Sequence, residues 1–111
     1  MDFTQYSALA IRTASGPATR TENDQITNAA LGLAGESGEF ADHIKKFLYQ
    51  GHDLDRAKLI KELGDILWYL NLGATALGVP LEEIAVQYIQ KISEQYPGGQ
   101  FAAARSINRP E

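Results

Sequence analysis

Four acidic residues stand in two pairs at helical spacing: Glu36 with Glu39, and Glu62 with Asp65. Residues three apart are neighbours on one helix face. At about 100° per residue, Leu33, Phe40, Ile44, Phe47 and Leu48 share one arc of the first segment. Gly32, Gly35, Glu36, Gly38, Glu39, Asp42, His43 and Lys46 share the other. Each interior glycine costs a helix roughly 1 kcal/mol relative to alanine. Three on one face therefore imply a close approach, either by another helix backbone or by a ligand that needs room beside the carboxylates. In the second segment Leu59, Ile60, Leu63, Ile66, Leu67, Leu70, Ala74 and Leu77 form an apolar arc, with Glu62 and Asp65 at its edge. Acids beside a core stripe are costly unless paired or metal-bound. Lys58 and Lys61 are candidate partners for Glu62, a pairing that explains Asp65 less well.

If the two segments pack antiparallel, as their short connection suggests, the acid pairs converge. Four carboxylates facing one space do not all stay ionised without cations. Oxygen ligands without Cys or His favour Mg²⁺, with Mn²⁺ as substitute, over zinc, and Mg²⁺ commonly contacts substrate phosphates. The implied substrate is a polyphosphate. Glu-x-x-Glu is also common on solvated helices, so the spacing alone leaves that plainer reading open.

The elements that must position these residues are helical. No repeat and no sustained alternation is present, and period-3.6 patterns cover most of the chain, so the class is all-α, a four-helix-bundle-like domain. Asp2 and Gln5 form a capping box for a first helix to about Ala14, broken by Ser15-Gly16-Pro17 and followed by a polar loop through Arg20. The longest helix is expected from Glu22–Asp24 to about Tyr49, with Gly51 ending it. Asp53 or Asp55 caps a third helix that reaches about Leu77 before Gly78. A fourth follows Pro80, carries Glu82 and Glu83 in its first turn, and runs to about Tyr96. Its residues Leu81, Ile84, Ala85, Tyr88, Ile89, Ile92 and Tyr96 form one stripe, expected to be core. The single domain spans 1–111, with a core over about 2–96 and a tail over about 97–111 that is extended or partly ordered.

Composition narrows the function classes. The 111 residues include 10 Lys plus Arg, 14 Asp plus Glu and no cysteine, for a net charge of −4. Disulfide scaffolds, thiolate metal sites and cysteine nucleophiles are excluded. Scattered cations argue against intact nucleic acid as a ligand. The amino terminus lacks a signal-like pattern, and the run Ile66–Val79 is too short and polar to span a membrane, so a cytoplasmic protein is expected. A chain this small buries a limited fraction of its surface, which favours self-association as a homodimer or homotetramer.

The stretch Gly32-Leu33-Ala34-Gly35-Glu36-Ser37-Gly38-Glu39-Phe40-Ala41-Asp42, with Lys61-Glu62-Leu63-Gly64-Asp65-Ile66-Leu67-Trp68-Tyr69-Leu70 about twenty residues on, resembles the MazG-like nucleotide pyrophosphohydrolases. The resemblance implies an all-α oligomeric bundle with shared active sites that hydrolyses nucleoside triphosphates to monophosphate and pyrophosphate. By position it implies Glu36, Glu39, Glu62 and Asp65 as Mg²⁺ ligands. In the last helix Lys91 matches the family's lysine, whereas Tyr88 and Gln95 stand where the family has Asn and Arg. The tail Phe101 and Arg105–Arg109 also resembles the end of short MazG-like proteins and receives no chemical role.

In the expected mechanism the metal offsets phosphoryl charge and activates water. Glu39 is the candidate catalytic residue that orients or deprotonates that water. Lys46, on the face of Glu39, and Lys91 are candidate substrate contacts, with solvated lysine the alternative for Lys46. Trp68 and Tyr69 follow Asp65 and are candidates to line a base pocket, with core packing the favoured role for Trp68. His43 lies on the carboxylate face behind the ligands, His52 in a turn, and neither is assigned to catalysis. Two other readings stay open: a non-catalytic nucleotide-binding or regulatory oligomerisation module, favoured by Tyr88 and Gln95, and a pyrophosphohydrolase of the phosphoribosyl-ATP or dUTP type.

Overall fold

In the computed structural model, α1 (Phe3–Ile11), α2 (Glu22–Tyr49), α3 (Arg56–Ala76), α4 (Leu81–Gln95) and α5 (Ala103–Ile107) follow in order, with a 3-10 turn at Pro17–Thr19. Residues 1–109 are described, apart from the side chain of Ala18, and the expected tail's positions 110 and 111 lie outside them. No strand occurs among the described residues, so the all-α expectation holds. No helix among them is long and apolar enough to cross a membrane.

The helix boundaries come from local chemistry. Asp2 accepts the Gln5 backbone N–H at 2.8 Å while the Gln5 side chain accepts that of Asp2 at 2.9 Å, so the capping box forms. Thr21 caps α2 by accepting from Asp24 N, and Asp55 caps α3 by accepting from Lys58 N. Gly51 and Gly78, both at positive φ, end α2 and α3. At Gly78 the Val79 N–H returns to the Ala74 carbonyl at 3.0 Å, which satisfies a carbonyl the helix leaves open. The first helix stops at Ile11 and does not reach Ala14, because Thr13 folds its hydroxyl onto the Ala10 carbonyl at 2.8 Å.

The chain forms two compact units, one ending at Leu81 and one beginning at Glu82. In the first, α2 and α3 are the main packed pair. Gly32 meets Tyr69, Ala29 meets Gly73 and His43 meets Glu62, so numbers fall along α3 as they rise along α2 and the two helices run antiparallel. The α1 helix is tied to α3 by the Trp68 indole, whose Nε1 donates to the Ala10 carbonyl at 3.1 Å and to Thr13 Oγ1 at 2.8 Å. Asn71 is buried and donates to the Ser7 carbonyl at 3.4 Å. Trp68 thus does the packing work expected of it. The 3-10 turn is held to α2 by the Gln25 amide, which donates to the Thr19 carbonyl at 3.0 Å.

The buried apolar core is small: Ala29, Leu72, Ala74, Ala76 and Leu81. Much of the apolar arc of α3 is instead open, with Ile60, Leu63, Leu70 and Leu77 all exposed. On α4, Ile84, Tyr88 and Ile89 of the expected core stripe are exposed too. Periodicity identifies which face is apolar, whereas burial also needs a partner surface. In the second unit, Tyr96 and Phe101 pack with ring centroids 5.5 Å apart and fold the segment after α4 back towards α5.

Candidate metal centre

The glycine-lined face of α2 meets α3 at one specific place. A Cβ on Gly32 would fall inside the Tyr69 ring carbons Cδ1, Cε1 and Cζ, so this glycine exists to admit an aromatic ring. Tyr69 in turn sets its ring edge-on to Trp68, with centroids 5.0 Å apart. Gly35 and Gly38 face open space. The approach inferred from three glycines is therefore made by a side chain at one of them, and the other two leave room beside Glu36 and Glu39.

One turn beyond Gly32, Glu36 comes against α3. Carboxylate oxygens of Glu36, Glu62 and Asp65 all lie within 4.8 Å of one another. Glu36 is half-buried, and the Glu62 side chain is only 14% exposed, while Asp65 is open to solvent. Oε2 of Glu36 and Oε2 of Glu62 are buried and receive no hydrogen bond. Buried acceptors without donors are uncommon and ask for a partner. Glu36 has its pKa pushed up to about 7, first by sharing a proton with Glu62, then by burial and by the negative charges of Glu39, Asp65 and Glu62.

The remaining candidates fall around this cluster. Glu39 is exposed and outside the group of three, yet near enough for its charge to act on Glu36. His43, two turns beyond Glu36 on α2, places Nε2 at 3.5 Å from Glu62 Oε1. Neither Lys58 nor Lys61 pairs with Glu62, whose basic neighbour within 4.0 Å among the described residues is this histidine. The sequence signal for His43 was its place on the carboxylate face; what it touches is set by α3, nineteen residues on. Lys46 Nζ lies 2.9 Å from Asp42 Oδ2, and Lys45 reaches the other oxygen at 3.1 Å. Their two ammonium groups hold the Asp42 pKa down at about 2. Lys46 also lines a small cavity of about 220 Å³ with His43, His52 and Lys58. Lys91 belongs to the second unit, where its ammonium lies 5.6 Å from the Tyr88 ring centroid.

Three converging carboxylates, two with orphaned buried oxygens, form a hard, oxygen-only donor set of the kind that binds Mg²⁺ or Mn²⁺. The residues fit such an ion on chemistry and on unmet hydrogen-bonding demand alike. Residues 25–99 match the model of the MazG nucleotide pyrophosphohydrolase domain. The chain belongs to the MazG family. The matched span of this MazG chain holds all four acids, Lys46 and Lys91. The chain is also similar to the Gene 37 protein of Mycobacterium phage L5, with 31% identity over 78 residues that cover 67% of this chain and 68% of that protein. That protein's name carries no activity. No solved structure matches the MazG chain at a significant level.

Proposed function

We propose that this chain is a divalent-metal-dependent nucleoside triphosphate pyrophosphohydrolase that converts an NTP or dNTP and water to monophosphate and pyrophosphate. The observation that carries the reading is the cluster of Glu36, Glu62 and Asp65, set within a matched MazG domain, with two buried carboxylate oxygens lacking donors. Glu36, Glu62 and Asp65, with Glu39 at their edge, would hold Mg²⁺, or Mn²⁺ in its place. The chemistry such an ion supplies is neutralisation of triphosphate charge and a lowered pKa for the attacking water.

The chain's own residues do the rest. Glu39, exposed and outside the tight group, is free to accept the proton of that water and to aim it at phosphorus. His43 steadies the Glu62 carboxylate from behind, as the outer partners of metal ligands do. Lys46, restrained by Asp42, and Lys91 are the proposed phosphate contacts, each offering a point charge. The open space at Gly35 and Gly38 leaves the substrate room next to Glu36 and Glu39.

The active form is proposed to be a homo-oligomer, a homodimer or homotetramer. Leu63 and Leu70 on α3, Leu77 at its C-cap, and Phe47, Leu48 and Tyr49 on α2 are exposed, and this number of open apolar side chains supports a partner surface. A second copy supplies a matching surface by symmetry. Sedimentation equilibrium gives a mass above 12.2 kDa if this is right and the monomer mass if it is wrong.

The test of function is a panel of ribo- and deoxyribonucleoside triphosphates, extended to dUTP and phosphoribosyl-ATP, incubated with Mg²⁺ or Mn²⁺ and resolved by chromatography. Equal yields of monophosphate and pyrophosphate from at least one member are expected. Binding without cleavage of any member leaves the non-catalytic module as the correct reading.

A further inference from the structure

Glu36 lies on α2, whereas Glu62 and Asp65 lie on α3, so the spacing of the three carboxylates depends on how the two helices are held together. The connection between the helices, residues 50–55, is remote from the cluster. It starts about four turns beyond Glu36, roughly 20 Å along the helix axis. Like charges brought this close push the helices apart before any cation arrives. A contact nearer the cluster has to oppose that push.

On the side away from the connection, the Tyr69 ring occupies the notch at Gly32. Gly32 stands one turn before Glu36 on α2, and Tyr69 one turn after Asp65 on α3. In an antiparallel pair those two steps lead to the same level, so the ring contact and the carboxylate cluster are neighbouring rungs of one register. A further rung lies beyond the ring, where a Cβ added at Gly73 would be 3.5 Å from the Ala29 Cβ. Because Gly32 offers only backbone, the ring rests against α2 itself and resists both sliding and separation of the helices. The ring is held in turn by Trp68, edge-on at 5.0 Å with an interplanar angle of 87°. That indole is anchored to α1 through the Ala10 carbonyl and Thr13 Oγ1.

We infer that Tyr69 is a positioning residue for the metal centre: seated in the Gly32 notch, its ring fixes the register and separation of α2 and α3, and so the spacing of Glu36 from Glu62 and Asp65. The inference rests on the metal reading of the cluster given above. A slip of one residue moves a helix by about 1.5 Å along its axis, whereas a ligand set has to be held to within about 0.5 Å. The ring contact stands one turn from two of the three ligands, close enough to control such a slip.

Mn²⁺ titration of the full chain tests this without turnover. Free Mn²⁺ is read by electron paramagnetic resonance, at a temperature where circular dichroism shows every variant fully helical. Tyr69→Leu keeps apolar volume without the flat ring, and Gly32→Ala displaces the ring. Each should weaken Mn²⁺ binding by about tenfold or more. The two losses should not add in the double variant, because both remove one contact. Tyr69→Phe keeps the ring and should bind as wild type does. Asp55→Ala uncaps α3 at its other end and should leave Mn²⁺ affinity unchanged, which separates positioning from general stability. Wild-type affinity in Tyr69→Leu and Gly32→Ala, additive losses in the double variant, or a loss in Tyr69→Phe or Asp55→Ala as large as in Tyr69→Leu overturns the proposal. A wild-type chain that binds no Mn²⁺ faults the metal reading and the proposal with it. A wild-type chain that binds, with both ring-contact variants unaffected, faults the positioning role alone.

Discussion

Replacing Gly32 by alanine sets two effects against each other. Alanine raises helix propensity by about 1 kcal/mol, which favours the variant. Its methyl group, however, would occupy the space of the Tyr69 ring, and several ring carbons are involved, so the whole side chain must leave its rotamer. Overpacking of this kind costs about 1–3 kcal/mol. Moving Tyr69 also breaks its edge-on contact with Trp68, worth about 0.5–1.5 kcal/mol. The net expectation is a loss of about 1–3 kcal/mol, and each kcal/mol lowers Tm by roughly 4–8 °C in a domain near this size. Gly35→Ala is the internal control, since nothing lies within 4 Å of the added carbon. It should gain about 1 kcal/mol from propensity alone. Urea titrations followed by circular dichroism, at one fixed protein concentration, measure both. Gly32→Ala in a Tyr69→Ala background should turn from destabilising to stabilising, because the obstructing ring is gone. If Gly32→Ala is as stable as wild type or more so, the close approach of Tyr69 to α2 is wrong.

Other perturbations address the site and its frame. The folded-state pKa of Glu36, about 7, lies above its ordinary value of 4.5. The metal-free protein is therefore most stable below about pH 4.5 as far as this group is concerned, and loses that stability as pH rises through about 7. Thermal melts in EDTA from pH 5 to pH 8 should show this fall, and Glu36→Gln should flatten it. Adding Mn²⁺ near pH 6 should release protons from Glu36, read as acidification of a weakly buffered solution. His43→Ala removes the partner of Glu62 and should weaken Mn²⁺ binding by about tenfold or more, while His43→Gln retains part of it. Asp55→Ala removes the α3 cap and should cost about 1 kcal/mol of stability in a urea melt.

The helix ends were legible because their signals are local. Asp2 with Gln5, Asp55, Gly51 and Gly78 each act within a few residues of the boundary they set. The first helix ran short of expectation where Thr13 folds its hydroxyl onto the Ala10 carbonyl, a local bond that is reinforced from outside the segment. Ala10 and Thr13 are claimed by the indole of Trp68, more than fifty residues away in sequence. Gly32 shows the same limit, since a glycine pattern reports that something comes close without naming Tyr69. The pairing of Glu36 with Glu62 and Asp65 was readable from spacing plus a short connection, because an antiparallel pair of helices fixes the register of everything along it. His43 as the partner of Glu62 was not, since Lys58 and Lys61 stand nearer to Glu62 in sequence. The apolar arcs of α3 and α4 were read correctly as patterns, yet Ile60, Leu63 and Ile89 are exposed because no surface among the described residues covers them.

The most direct measurement is ³¹P NMR of a cleaved nucleoside triphosphate with wild-type protein, Glu62→Gln and Asp65→Asn, each with and without Mg²⁺. Monophosphate and pyrophosphate are expected in equal amounts from wild type with Mg²⁺, with none in EDTA and a loss of at least about a hundredfold in either variant. Release of orthophosphate as the primary product, turnover in EDTA, or wild-type rates in Glu62→Gln and Asp65→Asn would contradict a divalent-metal pyrophosphohydrolase centred on these carboxylates.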